Sequence, residues 1–481
     1  MRVDMESHTG LRGVSAVWIM VFHCFLFNRD AILDFQGSTL MPLFFLLSGY
    51  SLAIGYGGEK ADLGNNKIYF YRNRFARVYP TYLAGNLIAL PLWFYGFGLV
   101  PSSRVWGFGV FGGIASNLAV SIIPISSLIC SLPIDAPGWT VATLAVMWLI
   151  FPFHLPSLQK KTNSELLELI VRCYYIQLLL GILLFVIIIP FGGGYIAFSA
   201  STMNPISRYP IFLMGVCAGL LSLRHKDEDS NSDNTVDNKP LDYWHSSRVD
   251  LFPCIGCCAT QTNKIGDGTY SATDRGSYWV GRTYSLSLYI FILTVTISIL
   301  DAITRYVFHS ATGLLGNWWL QLVVPFVQLE ILIGLVLESK NESTVRRVLT
   351  TTVAQYLGKL SMSLYLIHWV IIYYICLALN GFDILNWPYD SLDNNTHSQC
   401  EDDYGDDTVH EQNCRDDVDE FNRKRLIPMW SIPIVIAISF ALSVVLYYAV
   451  ENPGRNLLKT EKKSTPSNLL PGNGVVLSTG A

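Results

Sequence analysis

The stretch Leu11–Phe27, LRGVSAVWIMVFHCFLF, decides the class of this chain. It is a run of membrane-spanning length and apolar character, with Arg12 at its entrance and His23 well inside it. An ionisable group inside a bilayer is expensive, so each of these two side chains raises a functional question. They are separated by about three helical turns, roughly 16 Å of rise, and so return to nearly the same helix face. One side of the first helix then carries a fixed cation near one membrane surface and an imidazole near mid-bilayer. A membrane histidine that only hydrogen-bonds to a neighbouring helix is the competing explanation.

Outward from this run the same composition recurs almost to the end of the chain. Of 481 residues, 51% are hydrophobic and only 15% are charged, well below the charged share of about 25% in soluble domains. The chain therefore reads as all-α, a polytopic membrane helical bundle. Candidate spans are 11–28, 39–56, 79–99, 138–156, 172–190, 205–223, 283–301, 317–338, 359–379 and 429–450. No small-residue cleavage site follows the first run, so it is expected to act as its own insertion signal. A net charge of −4 without a basic block gives no support to nucleic acid as a partner.

Loop charges orient the spans. Lys60, Lys67, Arg72, Arg74 and Arg77 follow the second span, and Lys160, Lys161 and Arg172 follow the fourth. Further basic residues populate the loop 224–281, the segment around Lys340 to Lys359, and the stretch from Arg455 to Lys463. All of these fall on one side only if the Gly-, Ser- and Pro-rich stretch 105–129 does not cross. We read that stretch as re-entrant or lying at the surface, which leaves about ten transmembrane helices and both termini in the cytoplasm. The membrane domain then covers 1–460, with a polar cytoplasmic insert at 224–281, an acidic outer loop at 380–428 and a polar tail at 461–481.

The insert carries Cys254, Cys257 and Cys258, an incomplete metal-ligand set that also fits palmitoylation or ordinary thiols. The outer loop carries Cys400, Cys414 and the sequon beginning at Asn394. In an oxidising lumen those cysteines are placed to pair and that asparagine to be glycosylated.

Three further polar groups stand out. Arg74 and Arg77 are three apart, share a helix face at the expected inner boundary, and suit a phosphate-bearing ligand as well as a positive-inside anchor. Ser361, Tyr365 and His368 recur on one face of the ninth span, where they suit either a cavity lining or interhelical hydrogen bonds. Ser48 and Gly49 form a small pair in the second span, for which close helix packing is the simpler explanation.

In their order along the chain these residues resemble acyltransferase family 3, a family of integral membrane acyltransferases. Leu11-Arg12-Gly13 with Phe22-His23 is similar to the family's opening helix. Phe44 to Tyr50 resembles its Phe-Phe-x-Leu-Ser-Gly-Phe, and Phe70 to Pro80 its arginine-rich segment ending in Arg-Ile-x-Pro. Leu357 to His368 is similar to its late Leu-Gly-x-x-Ser-x-Ser-Leu-Tyr-Leu-x-His, and Glu451-Asn452-Pro453 to its closing Glu-x-Pro. One position departs. The family's fourth span opens Trp-Ser-Leu-Ser-Val-Glu, whereas here Trp139-Thr140-Val141-Ala142-Thr143-Leu144 puts leucine at the glutamate. Asp135, just upstream, is the acid nearest in sequence to take its place.

The resemblance implies transfer of an acyl group from cytoplasmic acyl-CoA to a hydroxyl of a glycan or small-molecule acceptor. His23 and Arg12 are then the candidate catalytic pair, Arg74 and Arg77 the donor-binding residues, and Ser48, Gly49, Trp139, Ser361, Tyr365 and His368 the candidate cavity lining. No metal site, bound cofactor, serine-nucleophile elbow or phosphate-binding glycine loop is evident in the sequence. An inactive relative, on account of Leu144, and a transporter built from the same polar helices are the alternatives.

The topology has a direct test in the outer loop. In sealed vesicles with the non-cytoplasmic face outward, Cys400 and Cys414 are expected to resist an impermeant thiol reagent until reduced, and to react afterwards. Reaction before reduction contradicts the disulfide, and protection after reduction reverses the topology.

Overall fold

In the computed structural model, residues 3–27, 37–58, 63, 67–93, 118–129, 132–231, 320–337, 344–380 and 427–458 are described. The expected span 283–301, most of the 224–281 insert, the outer loop with Cys400 and Cys414, and the tail 461–481 lie outside them.

The described chain is helical and has no strand. In order it forms α1 (Glu6–Leu26), α2 (Met41–Tyr56), α3 (Lys67–Leu92), α4 (Trp139–Gln159), α5 (Asn163–Thr202) and α6 (Pro205–Asn231). It continues with α7 (Pro325–Leu337), the short α8 (Thr344–Leu349), α9 (Thr352–Asn380), α10 (Ile432–Leu446) and α11 (Asn452–Leu458). A π-helical turn, Tyr447–Glu451, joins the last two. Prolines in the first turn open α2 and α10, where a missing N–H costs nothing. A capping box starts α5: the Thr162 N–H donates to Glu165 (2.6 Å) and the Glu165 N–H to the Thr162 hydroxyl (3.3 Å).

Seven helical stretches among the described residues are long and apolar enough to cross a membrane. They correspond to the expected first, second, fourth, fifth, sixth, ninth and tenth spans. The helix at the third expected span, α3, is more polar because it carries Arg72, Arg74, Arg77 and Asn86. At the eighth, the described apolar helix covers only Pro325–Val336.

Contacts along the helices fix their directions. Gly37 packs on Phe22 near the end of α1, while Tyr50 of α2 stacks on His8 at its start, ring centroids 4.9 Å apart, so α2 runs back along α1. Helices α4 and α6 follow α2 in parallel. The Trp139 and Phe45 rings meet at the upper end (6.2 Å), and the Gln159 side chain donates to the Gly57 carbonyl (3.0 Å) at the lower end. Gly215 of α6 faces Leu46, and Gly219 faces Ala53. Helices α3 and α9 instead run with α1, and the Tyr374 hydroxyl donates to the Ile88 carbonyl (2.8 Å). Helix α10 returns, its start tied to α1 by Ile427 N–H to the Phe27 carbonyl (2.8 Å). Thus α3 and α4 are antiparallel, the relation expected when the stretch between them makes no net crossing. The described part of the 105–129 stretch forms short helical turns, Ser126–Ile129 among them.

Two helix pairs depend on glycine. A methyl group on Gly49 would overlap the Phe212 carbonyl, and one on Gly215 the Leu46 carbonyl. On the other pair, Gly13 meets Leu357 and the Gly358 amide, and Gly358 meets the Thr9 carbonyl. Lipid tails are as apolar as leucine, so backbone-to-backbone contact of this kind, rather than hydrophobic burial, holds such pairs together.

Gly55 supplies an internal control, because a methyl group there would meet nothing within 4 Å. Gly49→Ala or Gly215→Ala is expected to destabilise by about 1–3 kcal/mol through overpacking. Gly55→Ala is expected to be neutral or slightly stabilising. Thermal unfolding of the purified variants in detergent measures the difference.

Candidate active site

The parallel pairing of α1 with α9 builds two polar centres at two heights. At the lower one, Arg12 Nη2 donates to the Gly358 carbonyl (2.8 Å), and so does the Ser361 hydroxyl (2.9 Å). At the upper one, His23 Nδ1 and His368 Nε2 lie 2.8 Å apart. The equal heights follow from equal spacing, Gly13 to His23 on one helix and Gly358 to His368 on the other, once the glycines set the register.

Hydrogen-bond logic assigns the protons of the histidine pair. His368 Nδ1 lies 3.1 Å from the Leu364 carbonyl. A carbonyl oxygen only accepts, so His368 Nδ1 carries the proton and its Nε2, in the neutral ring, is an acceptor. His23 Nδ1 must then donate to it, which leaves His23 Nε2 with a free lone pair. His368 is completely buried, and Trp369 abuts His23 edge-on with ring centroids 4.8 Å apart. The His23 ring is thereby held in one orientation, with one nitrogen free to take a proton or attack a carbonyl.

The lower centre is an arginine cluster. Arg77 lies within electrostatic reach of Arg12, Arg74 and Arg455, and of one carboxylate, Glu451. Arg74 sits over Tyr56 and Phe70, its guanidinium carbon 5.8 and 5.9 Å from the ring centroids. The Nε atoms of Arg12 and Arg74 are buried and have no hydrogen-bond partner among the described residues. Glu451, last residue of the π-helical turn, accepts a hydrogen bond from Ser363 (2.7 Å). Such turns insert one residue into a helix and recur at functional positions.

The remaining residues of interest separate into two groups. Tyr365 stands next to His368, ring centroids 5.9 Å apart, with its hydroxyl 3.6 Å from the Met41 sulfur. Asp135 is fully buried, and neither carboxylate oxygen has a hydrogen-bond partner among the described residues. Its backbone N–H donates to the Asn86 side chain (3.0 Å). Gly85 leaves room for it, since a methyl group there would stand 2.7 Å from Asp135 Oδ2. Asp135 lies within electrostatic reach of Tyr82 and Tyr365, so it adjoins the face of α9 that carries His368. Ser48 and Gly49 face α4 and α6, whereas Trp139 and Leu144 belong to the apolar cluster that also holds Tyr365. The Ser48 hydroxyl accepts from Trp148 Nε1 (3.0 Å), and Gly49 seats α2 on α6. Trp139 packs beside Phe45, and Leu144 lies against the same apolar core.

Sequence reading alone passed over Ser363, Arg455 and Asn86. Ser363 repeats the small polar residue of Ser361 but points from another face of α9. Arg455 resembles any basic residue after a last span, and only the fold brings it under α3.

A family profile described as an acyltransferase domain, the acyltransferase 3 family, matches residues 6–448. The chain belongs to the acyltransferase 3 family. Its match takes in α1 with Arg12 and His23, α3 with Arg74 and Arg77, and α9 with His368. Among curated proteins it is similar to the acyltransferase MdmB of Streptomyces mycarofaciens, 29% identical over 164 residues, or 31% of this chain and 39% of that protein. It is also similar to protein 2 in the picA locus of Rhizobium radiobacter, 37% identical over 75 residues, or 15% of this chain and 38% of that protein. The chain thus spans about two fifths of the length of the curated relatives it matches. No solved structure matches it. Family membership and the seven apolar helices make it a multi-pass membrane protein.

Proposed function

We propose that this protein is a membrane O-acyltransferase that moves an acyl group from acyl-CoA to a hydroxyl of a glycan or small-molecule acceptor. Donor and arginine cluster meet at the cytoplasmic face, and both termini lie on that side. The observation that carries this reading is the histidine pair, which leaves His23 Nε2 as an oriented lone pair above a cluster of guanidiniums. Membership in the acyltransferase 3 family supports it.

The chemistry follows from the two heights. Arg74, Arg77 and Arg12 hold the anionic phosphates of the donor, and the pantetheine arm extends the thioester along α1 towards His23. His23 Nε2 takes the proton of the acceptor hydroxyl as its oxygen attacks the thioester carbonyl. The tetrahedral intermediate then collapses: the new ester bond is kept, the C–S bond breaks, and the proton on His23 passes to the departing thiolate. His368 acts through His23. It accepts the hydrogen bond from His23 Nδ1–H and holds the ring, and that hydrogen bond strengthens when the ring becomes cationic.

Leu144 favours a second reading, a relative that binds ligands without turnover, because leucine neither holds charge nor transfers a proton. Asp135 supports the first reading, as a buried acid on the flank of Tyr365 and His368. Acyl-CoA-dependent modification of acceptors by the purified protein separates the two. We expect parent activity, a loss of about 10²–10⁴-fold in His23→Ala with normal insertion, and a large loss in Asp135→Asn. Absence of activity in the parent, gained in Leu144→Glu, establishes the inactive relative. A fully active His23→Ala variant removes the histidine mechanism.

A further inference from the structure

Glu451 is the one acidic residue that Arg77 meets in the arginine cluster, and its placement is unusual. Arg12, Arg77 and Arg455 all act on it electrostatically. A carboxylate among three guanidiniums is expected to pair with one. Yet among the described residues the ion pairs within 4.0 Å are Lys161–Glu165, Arg172–Glu168 and Arg346–Asp4. Glu451 instead takes its hydrogen bond from the Ser363 hydroxyl, 2.7 Å away on α9. The π-helical turn ending at Glu451 and the contact of Gly454 with Pro80 of α3 fix where the carboxylate can stand. Meanwhile Arg12 Nε and Arg74 Nε are buried donors without an acceptor among the described residues, at a place where an unfilled donor is costly.

We propose that Ser363 is a latch that holds Glu451 off the arginines, so that the cluster stays open to a phosphate group, while the nearby negative charge keeps the bound phosphate releasable. The inference rests on reading the cluster as a phosphate site and extends the proposed function. Four guanidiniums with no opposing charge would hold a multiply charged phosphate long after the reaction. A carboxylate free to swing onto them would fill the site itself. A hydroxyl-tethered carboxylate at intermediate range avoids both outcomes. Ser363 and Glu451 are positioning residues in this scheme, since they act through the arginines.

The two residues make opposite predictions, which separates a latch from a general structural role. The test uses inorganic pyrophosphate as probe and the full chain purified in detergent, with equilibrium binding as the readout. Glu451→Gln is expected to bind pyrophosphate more tightly by about fivefold or more, the scale of a modest coupling between sites. Ser363→Ala is expected to bind it more weakly, because the released carboxylate moves onto the guanidiniums. The double variant should behave as Glu451→Gln, and Glu451→Asp should stay near the parent. Unchanged or weaker binding in a folded Glu451→Gln overturns the proposal, as does unchanged binding in Ser363→Ala or the lack of pyrophosphate binding throughout. If Glu451→Gln does not fold, Ser363→Ala decides alone. Competition against bound pyrophosphate then identifies the source of the phosphate. Displacement by CoA supports the donor reading. Displacement only by phosphatidic acid in nanodiscs keeps the latch and removes the donor reading.

Discussion

The contact on which the rest depends is the meeting of α1 and α9 at Gly13 and Gly358, where neither residue has a side chain to hold the backbones apart. That contact sets a register. From it, Arg12 reaches the Gly358 carbonyl and His23 reaches His368, about three turns further along both helices. A one-residue slip would rotate His23 by about 100° around its helix and break the histidine pair. The site is therefore not a pocket lined by loops. It is a seam between two parallel helices, rigid because its polar atoms are bonded to backbone carbonyls that cannot move independently.

Around this seam the bundle divides its labour. Helices α2, α4 and α6 run in parallel as a packed unit, with Gly49, Gly215 and Gly219 allowing close approach, and the buried Arg208 of α6 is taken up by the Thr202 carbonyl and the Gln321 side chain. Helices α1, α3, α9 and the α10–α11 segment bring the charged groups together. The arginines come from three separate segments, and Glu451 comes from the one place where helical winding is irregular. Gathering like charges along one seam is costly in a low-dielectric surrounding, a cost that a bound anion would offset.

Much of this was legible in the sequence, for identifiable reasons. Seven of the spans could be read because long apolar runs have few other uses, and the antiparallel course of α3 and α4 is the relation expected if 105–129 makes no net crossing. The polar face Ser361–Tyr365–His368 was legible from helical spacing, and Arg74 and Arg77 likewise. What spacing could not supply was pairing between helices distant in sequence. Nothing in the sequence distinguishes His368 as a partner of His23 from His368 as general interhelical glue, nor makes Ser48 a hydrogen-bond acceptor for Trp148. Asp135 illustrates the same limit. Its sequence neighbours suggest a turn, and only the approach of α3 at Gly85 and Asn86 makes it a buried acid within electrostatic reach of Tyr365.

The α1–α9 register delivers His23 with its Nε2 lone pair free. Solid-state nitrogen NMR of the histidine-labelled protein in lipid bilayers at neutral pH, assigned by loss of signals in His23→Ala and His368→Ala, addresses it directly. Both rings are expected to be neutral, with the proton on Nδ1 and a bare Nε2 in each. A proton on His23 Nε2, or a His23 signal indifferent to the loss of His368, would contradict it.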